Sequence, residues 1–185
     1  YNQLLQTHQQ QLQQLISKRS RIAWARLVCI VIALWLVYYQ WPMHAWWQVL
    51  PSVALFAAFL RLVVWSVNIS QQIKHAEQLI AINEDELNIA EGNFTHRYDG
   101  GNHSPTNHAY AHDLDLFGRA SLYQYLQRTE SDGGQKMLAY WLLQTAALDE
   151  IKLRQHAVKA LAPAIGWRQQ LQASGKLHPV TARTG

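Results

Sequence analysis

Two apolar runs constrain this chain more than any other feature: residues 22–39, IAWARLVCIVIALWLVYY, and residues 49–67, VLPSVALFAAFLRLVVWSV. Each is apolar around the whole circumference of a helix, whereas the surface helix of a globular domain has one apolar stripe. A bilayer crossing takes about 20 mostly apolar residues, with ~17 as the lower limit. The second run meets that length. The first meets it when Arg26 sits near one end and snorkels outwards. The connector QWPMHAWWQ has no Lys or Arg and carries Trp41, Trp46 and Trp47, which suit an interfacial aromatic belt. Pro51 suits a first helical turn. The pattern predicts a transmembrane helical hairpin over 22–70, with Trp41, Trp46, Trp47 and Arg26 at its interfaces. Arg61 opposes it. It stands 6 residues, or ~9 Å, from the nearer end of its run at residue 67. A charge at a membrane-helix centre costs about 2.5–3.5 kcal/mol on insertion scales. A soluble helical hairpin, covered by other domains, is the competing reading.

Charge placement gives the hairpin a direction. The formal net charge is +4, with 16 basic and 12 acidic residues. Lys18, Arg19, Arg21 and Arg26 are the only charged residues before position 61, and beyond them the two signs cancel. The basic excess is therefore an orientation signal and not a nucleic-acid surface. It predicts both termini in the cytoplasm, the Trp-bearing loop outside, and location in the inner (cytoplasmic) membrane. Eight Trp and eight Tyr fit a chain at lipid headgroups. The single cysteine, Cys29, excludes an intrachain disulfide. Asn93-Phe94-Thr95 matches a glycosylation pattern that is frequent by chance. The chain starts without Met and stops in polar sequence at Gly185, and it reads as part of a longer protein.

Residues 1–21 form a Gln-rich leading helix, with Leu5, Leu12, Leu15 and Ile16 on one face. Residues 71–92 belong to a membrane-proximal amphipathic helix, whose pattern begins at 69. Ile69, Ile73, Ala76, Ile80, Asn83, Leu87 and Ala90 make a coiled-coil-like seam with one polar position, Asn83. The seam can be closed by the leading helix or by the same seam of a second copy. Residues 93–112 are a turn-rich linker or surface loop. His96, His103, His108 and His112 fall near it, followed by Asp113 and Asp115, but their spacing matches no closed zinc pattern.

From residue 113 the pattern tightens into short helices. Ala120–Leu126 places Leu122, Tyr125 and Leu126 on one face. Ser131 is the expected N-cap of the next helix, with Asp132 at its positive end. Met137, Leu138, Trp141 and Leu142 form the apolar stripe of that helix. Another helix begins near Asp149, carries Ile151, Arg154, Ala157, Val158 and Leu161, and ends at Pro163. A last one over 164–173 closes at Ser174-Gly175.

This block resembles the opening of the core (lever) domain of MutS-type ATPases. The family pattern D-L-x-x-F-G-x-x-S-L-x-x-x-L-x-R-T-x-T-x-x-G-x-x-x-L-x-x-W-L is met here by Asp113, Leu114, Phe117, Gly118, Ser121, Leu122 and Leu126. It continues through Arg128, Thr129, Gly134, Leu138, Trp141 and Leu142. The continuation I-x-x-R-Q-x-A-V-x-x-L is met by Ile151, Arg154, Gln155, Ala157, Val158 and Leu161. The likeness covers 113–172 and is greatest to the membrane-associated MutS-related proteins of bacteria. Ser131-Asp132 stands where the family has Thr-Pro, and both pairs cap a helix. The resemblance implies that 113–185 is the truncated start of a MutS-like core. These motif residues would be structural, with Arg128, Thr129, Arg154 and Gln155 tying helix ends together.

The mismatch-reading Phe-x-Glu domain has no counterpart, and no G-x-x-x-x-G-K-[ST] occurs. No nucleophile-elbow motif appears either. The sequence therefore offers no catalytic, cofactor-binding or metal-ligating residue in this chain. The expected fold is all-α: a transmembrane hairpin, a coiled-coil-like extension and the start of a helical core. The resemblance implies the N-terminal part of a membrane-anchored DNA-binding ATPase of the DNA mismatch repair family. ATP and Mg would then be held by a C-terminal P-loop domain, and homodimerisation would run through that domain. The rival functions are a membrane-tethered interaction protein without DNA function and a soluble repair ATPase whose hairpin is buried.

Overall fold

The computed structural model describes residues 1–40 and 49–177, and among these every regular element is helical. The order is α1 (Asn2–Gln40), α2 (Val49–Ala90), α3 (Leu122–Leu126), α4 (Asp132–Leu143), α5 (Leu148–Leu161) and α6 (Ile165–Leu177). Trp41, Trp46 and Trp47, the expected belt, lie outside the described residues.

The leading helix and the first apolar run are one helix. Between Asn2 and Gln40 there is no Gly or Pro to interrupt backbone hydrogen bonding. The second apolar run and the amphipathic stretch likewise merge into α2, 42 residues long and about 60 Å in extent. Pro51 sits in its first turn. Gly92 ends it: at φ +86° it adopts the left-handed conformation, its N–H bonds to the Ile89 carbonyl, and Asn93 N–H bonds to the Asn88 carbonyl. That pair of bonds is a Schellman motif.

The chain divides into two compact units. The first comprises residues 6–77. Ile22, Ile69 and Ile73 form its buried cluster, with Leu12, Leu15 and Leu62 packed against them. The Arg26 guanidinium lies 5.7 Å from the centroid of Phe59. Arg26 of α1 meets Phe59 of α2, while Ile22, earlier on α1, clusters with Ile69 and Ile73, later on α2, so the helices run antiparallel within this unit.

The second unit comprises residues 1–5 and those from 78 onward. Leu79 and Ile82 of α2 pack on Ala173 of α6. Of the expected seam, Ile69, Ile73, Ala76 and Asn83 are buried, and the other buried positions beyond Ala76 fall off it. Leu79, Ile82 and Ile89 are buried, while Ala90 is exposed. A straight helix has 3.6 residues per turn, so a strict seven-residue repeat drifts around it.

Segment 94–121 has no α-helix, only the short 3-10 helix Gly101–His103, but it is anchored. It wraps around Tyr123, which is fully buried. Phe117, Tyr98 and His103 surround the Tyr123 ring at centroid distances of 5.4, 6.0 and 6.0 Å. Gly100 lies so close that a Cβ there would stand 2.6 Å from the ring. Burial and the neighbouring Tyr98 push the Tyr123 hydroxyl up to about 12. In α3 the buried face is thus Tyr123 and Gln124, opposite to the expected one. Leu122, Tyr125 and Leu126 are all exposed. A helix of one and a half turns takes its orientation from the one aromatic ring that fills the cavity.

Candidate functional site

Two regions stand out. The first is the apolar band on α1 and α2. Among the described residues, α2 is the one helix long and apolar enough to cross a membrane, and none of its most apolar stretch is buried. Leu50, Val53, Phe56, Leu60, Val64, Trp65 and Val67 are exposed on α2. On α1 the exposed set includes Trp24, Leu27, Val28, Ile30, Val31, Ile32 and Leu34. Monomeric soluble proteins rarely expose contiguous apolar patches beyond a few hundred Å², and larger ones mark membrane or protein contacts. Arg26 and Arg61 interrupt this band at a common level. Arg26 stacks on Phe59, two residues and about 3 Å of helix rise from Arg61.

The second is a polar node where α2, segment 96–97 and the turn 127–131 converge. Asp85 accepts hydrogen bonds from Arg97, and His96 Nε2 lies 2.6 Å from Asp85 Oδ1. Burial pushes the Asp85 carboxyl up, but the hydrogen bonds and charges of Arg97 and His96 outweigh it and hold the group below its ordinary value. On the next residue of α2, Glu86 receives both Nε and Nη2 of Arg128, the latter at 3.2 Å. The two arginines also cap α3. Arg97 donates to the Gln127 carbonyl, and Arg128 Nη1 donates to the carbonyls of Tyr125 at 2.6 Å and Gln127 at 3.1 Å. Those carbonyls have no partner inside the helix and carry its negative dipole end. Beside the node is an open cavity of about 650 Å³ with Ile82, Trp167 and Leu171 on its apolar side and Glu86 and Arg128 on its polar side.

The motif residues take distinct positions. Ser121 and Ser131 are N-caps, accepting from the N–H groups of Gln124 and Gly134 at 3.2 Å each. Thr129 packs against Gly134, where a Cβ would come within 3.0 Å of the Thr129 side chain. Phe117 touches Tyr123, and Gly118 has φ +97°. Arg154 pairs with Glu150 and lies 4.3 Å from the Trp141 ring centroid. Leu138 and Leu142 are half-buried. Asp113, Leu114, Leu122 and Gln155 are exposed. Of the four expected helix ties, Arg128 joins α3 to α2, and Arg154 joins α4 to α5. Thr129 contributes packing, and its Oγ1 is buried without a hydrogen-bond partner. α5 has no buried residue.

The structure adds Asp85, Glu86, Arg97, Tyr123 and Gln124 to the residues worth naming. Gln124 Nε2 donates to the carbonyls of Thr95 and Arg97, and its Oε1 accepts from Ala120 N–H. The sequence signal for the acidic pair was present, as adjacent carboxylates within the seam of α2. Their partners are distant along the chain. Asn83, the polar seam position, is fully buried and accepts a 2.9 Å bond from Gln169 Nε2 of α6. Among the described residues no group of three or more His, Cys, Asp and Glu could hold a metal ion, and His96 and His108 are engaged with Asp85 and the Leu143 carbonyl. No family model, curated protein or solved structure matches the chain.

Proposed function

We propose that this chain anchors a MutS-related ATPase to the inner membrane and supplies the start of its lever core. The observation that carries this reading is α2 itself. Its N-terminal half presents apolar side chains on every side, and its C-terminal half buries Leu79, Ile82 and Asn83 in a folded helical unit. α1 and α2 form a transmembrane hairpin with both termini cytoplasmic, and Arg26 and Arg61 lie inside its apolar zone, one to two turns from the cytoplasmic end. At that level Arg61 no longer stands at a membrane-helix centre; its side chain snorkels to the headgroups.

The MutS relationship rests on the motif residues. Ser121 and Ser131 start helices, Arg128 ties one to α2, and Gly134 gives Thr129 room, all of which suit a lever. This end of the protein acts mechanically, while DNA binding, ATP with Mg, and homodimerisation belong to the rest of the protein. The full-length protein is then expected to hydrolyse ATP and to bind DNA with an affinity that falls steeply with salt. Absence of both activities would overturn the MutS assignment and leave the anchor intact.

One observation favours the rival membrane-tethered interaction protein. Trp141, Leu148, Leu153, Val158, Trp167 and Leu171 are exposed on α4–α6. The same two assays separate it from the ATPase.

A further inference from the structure

Unit 6–77 carries six cations and a single carboxylate, at Glu77. Lys18 and Arg21 lie one turn apart on α1, and they face Trp65, Asn68 and Gln72 of α2 across a cleft of about 430 Å³. The floor is apolar and buried, made by Ile22 and Ile69. Arg61 precedes Trp65 by one turn on the same side of α2. The walls thus offer an exposed tryptophan, two amide side chains and two cations, with Arg61 one turn outside the cleft beyond Trp65. No Asp or Glu occurs before Glu77, so no carboxylate of that stretch neutralises the cations.

We propose that this cleft binds the phosphate of an anionic phospholipid headgroup. This rests on the membrane-anchor reading above. Lys18 and Arg21 engage the phosphate, Asn68 and Gln72 donate to its ester and glycerol oxygens, and Trp65 sits at the ester level with the acyl chains running along the exposed apolar band. A guanidinium matches the planar fork of two phosphate oxygens, and an amphipathic indole prefers the interface. The site would make the anchor selective for anionic membranes, beyond the nonspecific pull of a basic segment.

The test uses the chain purified in detergent from carbonate-washed membranes, with native mass spectrometry of retained phosphatidylglycerol against phosphatidylcholine. The wild type is expected to retain one phosphatidylglycerol in preference. K18Q/R21Q is expected to lose about 30-fold in that preference, at roughly fivefold per charge near the surface, while staying in the membrane pellet. W65A is expected to weaken retention with its charges intact. Equal retention of the two lipids by the wild type, or an undiminished preference in K18Q/R21Q, would overturn the site. Displacement by inorganic phosphate alone would also overturn it, by making free phosphate the ligand. Loss of the wild type to the carbonate supernatant would instead overturn the anchor itself.

Discussion

Single residues decide how segment 94–121 is held. Tyr123 is its centre, and Gly100 is the residue that permits the close approach. At φ +71° with the ring 2.6 Å from where a Cβ would sit, Gly100→Ala combines left-handed strain with overpacking. It is expected to cost about 2–4 kcal/mol, read as a lowered thermal midpoint of the detergent-solubilised chain. Asp85 gives the second test at this scale. Its carboxyl is held below the ordinary value, so its contribution to stability is fully present above the unfolded value of about 3.9 and is lost as pH falls through the lower folded value. Asp85→Asn is expected to lower stability near neutral pH by about 2 kcal/mol, because the Arg97 side chain, 9% exposed, is left without its charge partner. The variant is also expected to flatten the acid limb of a stability-against-pH profile. None of this was legible in the sequence. Gly100-Gly101 read as turn residues, and nothing local links Gly100 to Tyr123 or Asp85 to Arg97.

Helices show more clearly what the sequence could tell. Ser131 was identifiable as an N-cap because capping is local: a side-chain oxygen followed three residues later by the N–H it accepts. Ser131→Ala is expected to cost about 1 kcal/mol in thermal or chemical denaturation. Gly175 shows the limit of local reasoning. It read as a helix stop, yet α6 runs on to Leu177. Its bare Cα instead faces Glu130, where a Cβ would come within 3.0 Å of the Glu130 Cβ. Glu130 in turn accepts from Gln172 Nε2 at 3.0 Å and lies 3.9 Å from Lys176 Nζ. The seam of α2 was legible in existence and drifted in register. Its burial is shared between α1 and α6, and no strict heptad survives a change of partner. Asn83 read as a polar position in a coiled coil, and its partner proved to be Gln169, 86 residues away.

At the scale of the molecule, the sequence carried the all-helical class and the apolar stretch of α2, because both follow from composition and period alone. The joining of four sequence segments into two long helices also follows from it, through the absence of Gly and Pro between them. The polar node was not readable, since each of its ion pairs closes a separation of 11 to 42 residues. The central claim is that the N-terminal half of α2 lies in lipid. Cys29 is the only cysteine of the chain, so a C29S background leaves a single introduced position free for a nitroxide. Phe56→Cys puts that label on an exposed site in the apolar band. In reconstituted bilayers, power-saturation spin resonance compares its collisions with oxygen, which partitions into lipid, and with a water-soluble nickel chelate. Oxygen collisions dominating at position 56 are expected for a membrane-embedded helix; nickel collisions dominating there would contradict it.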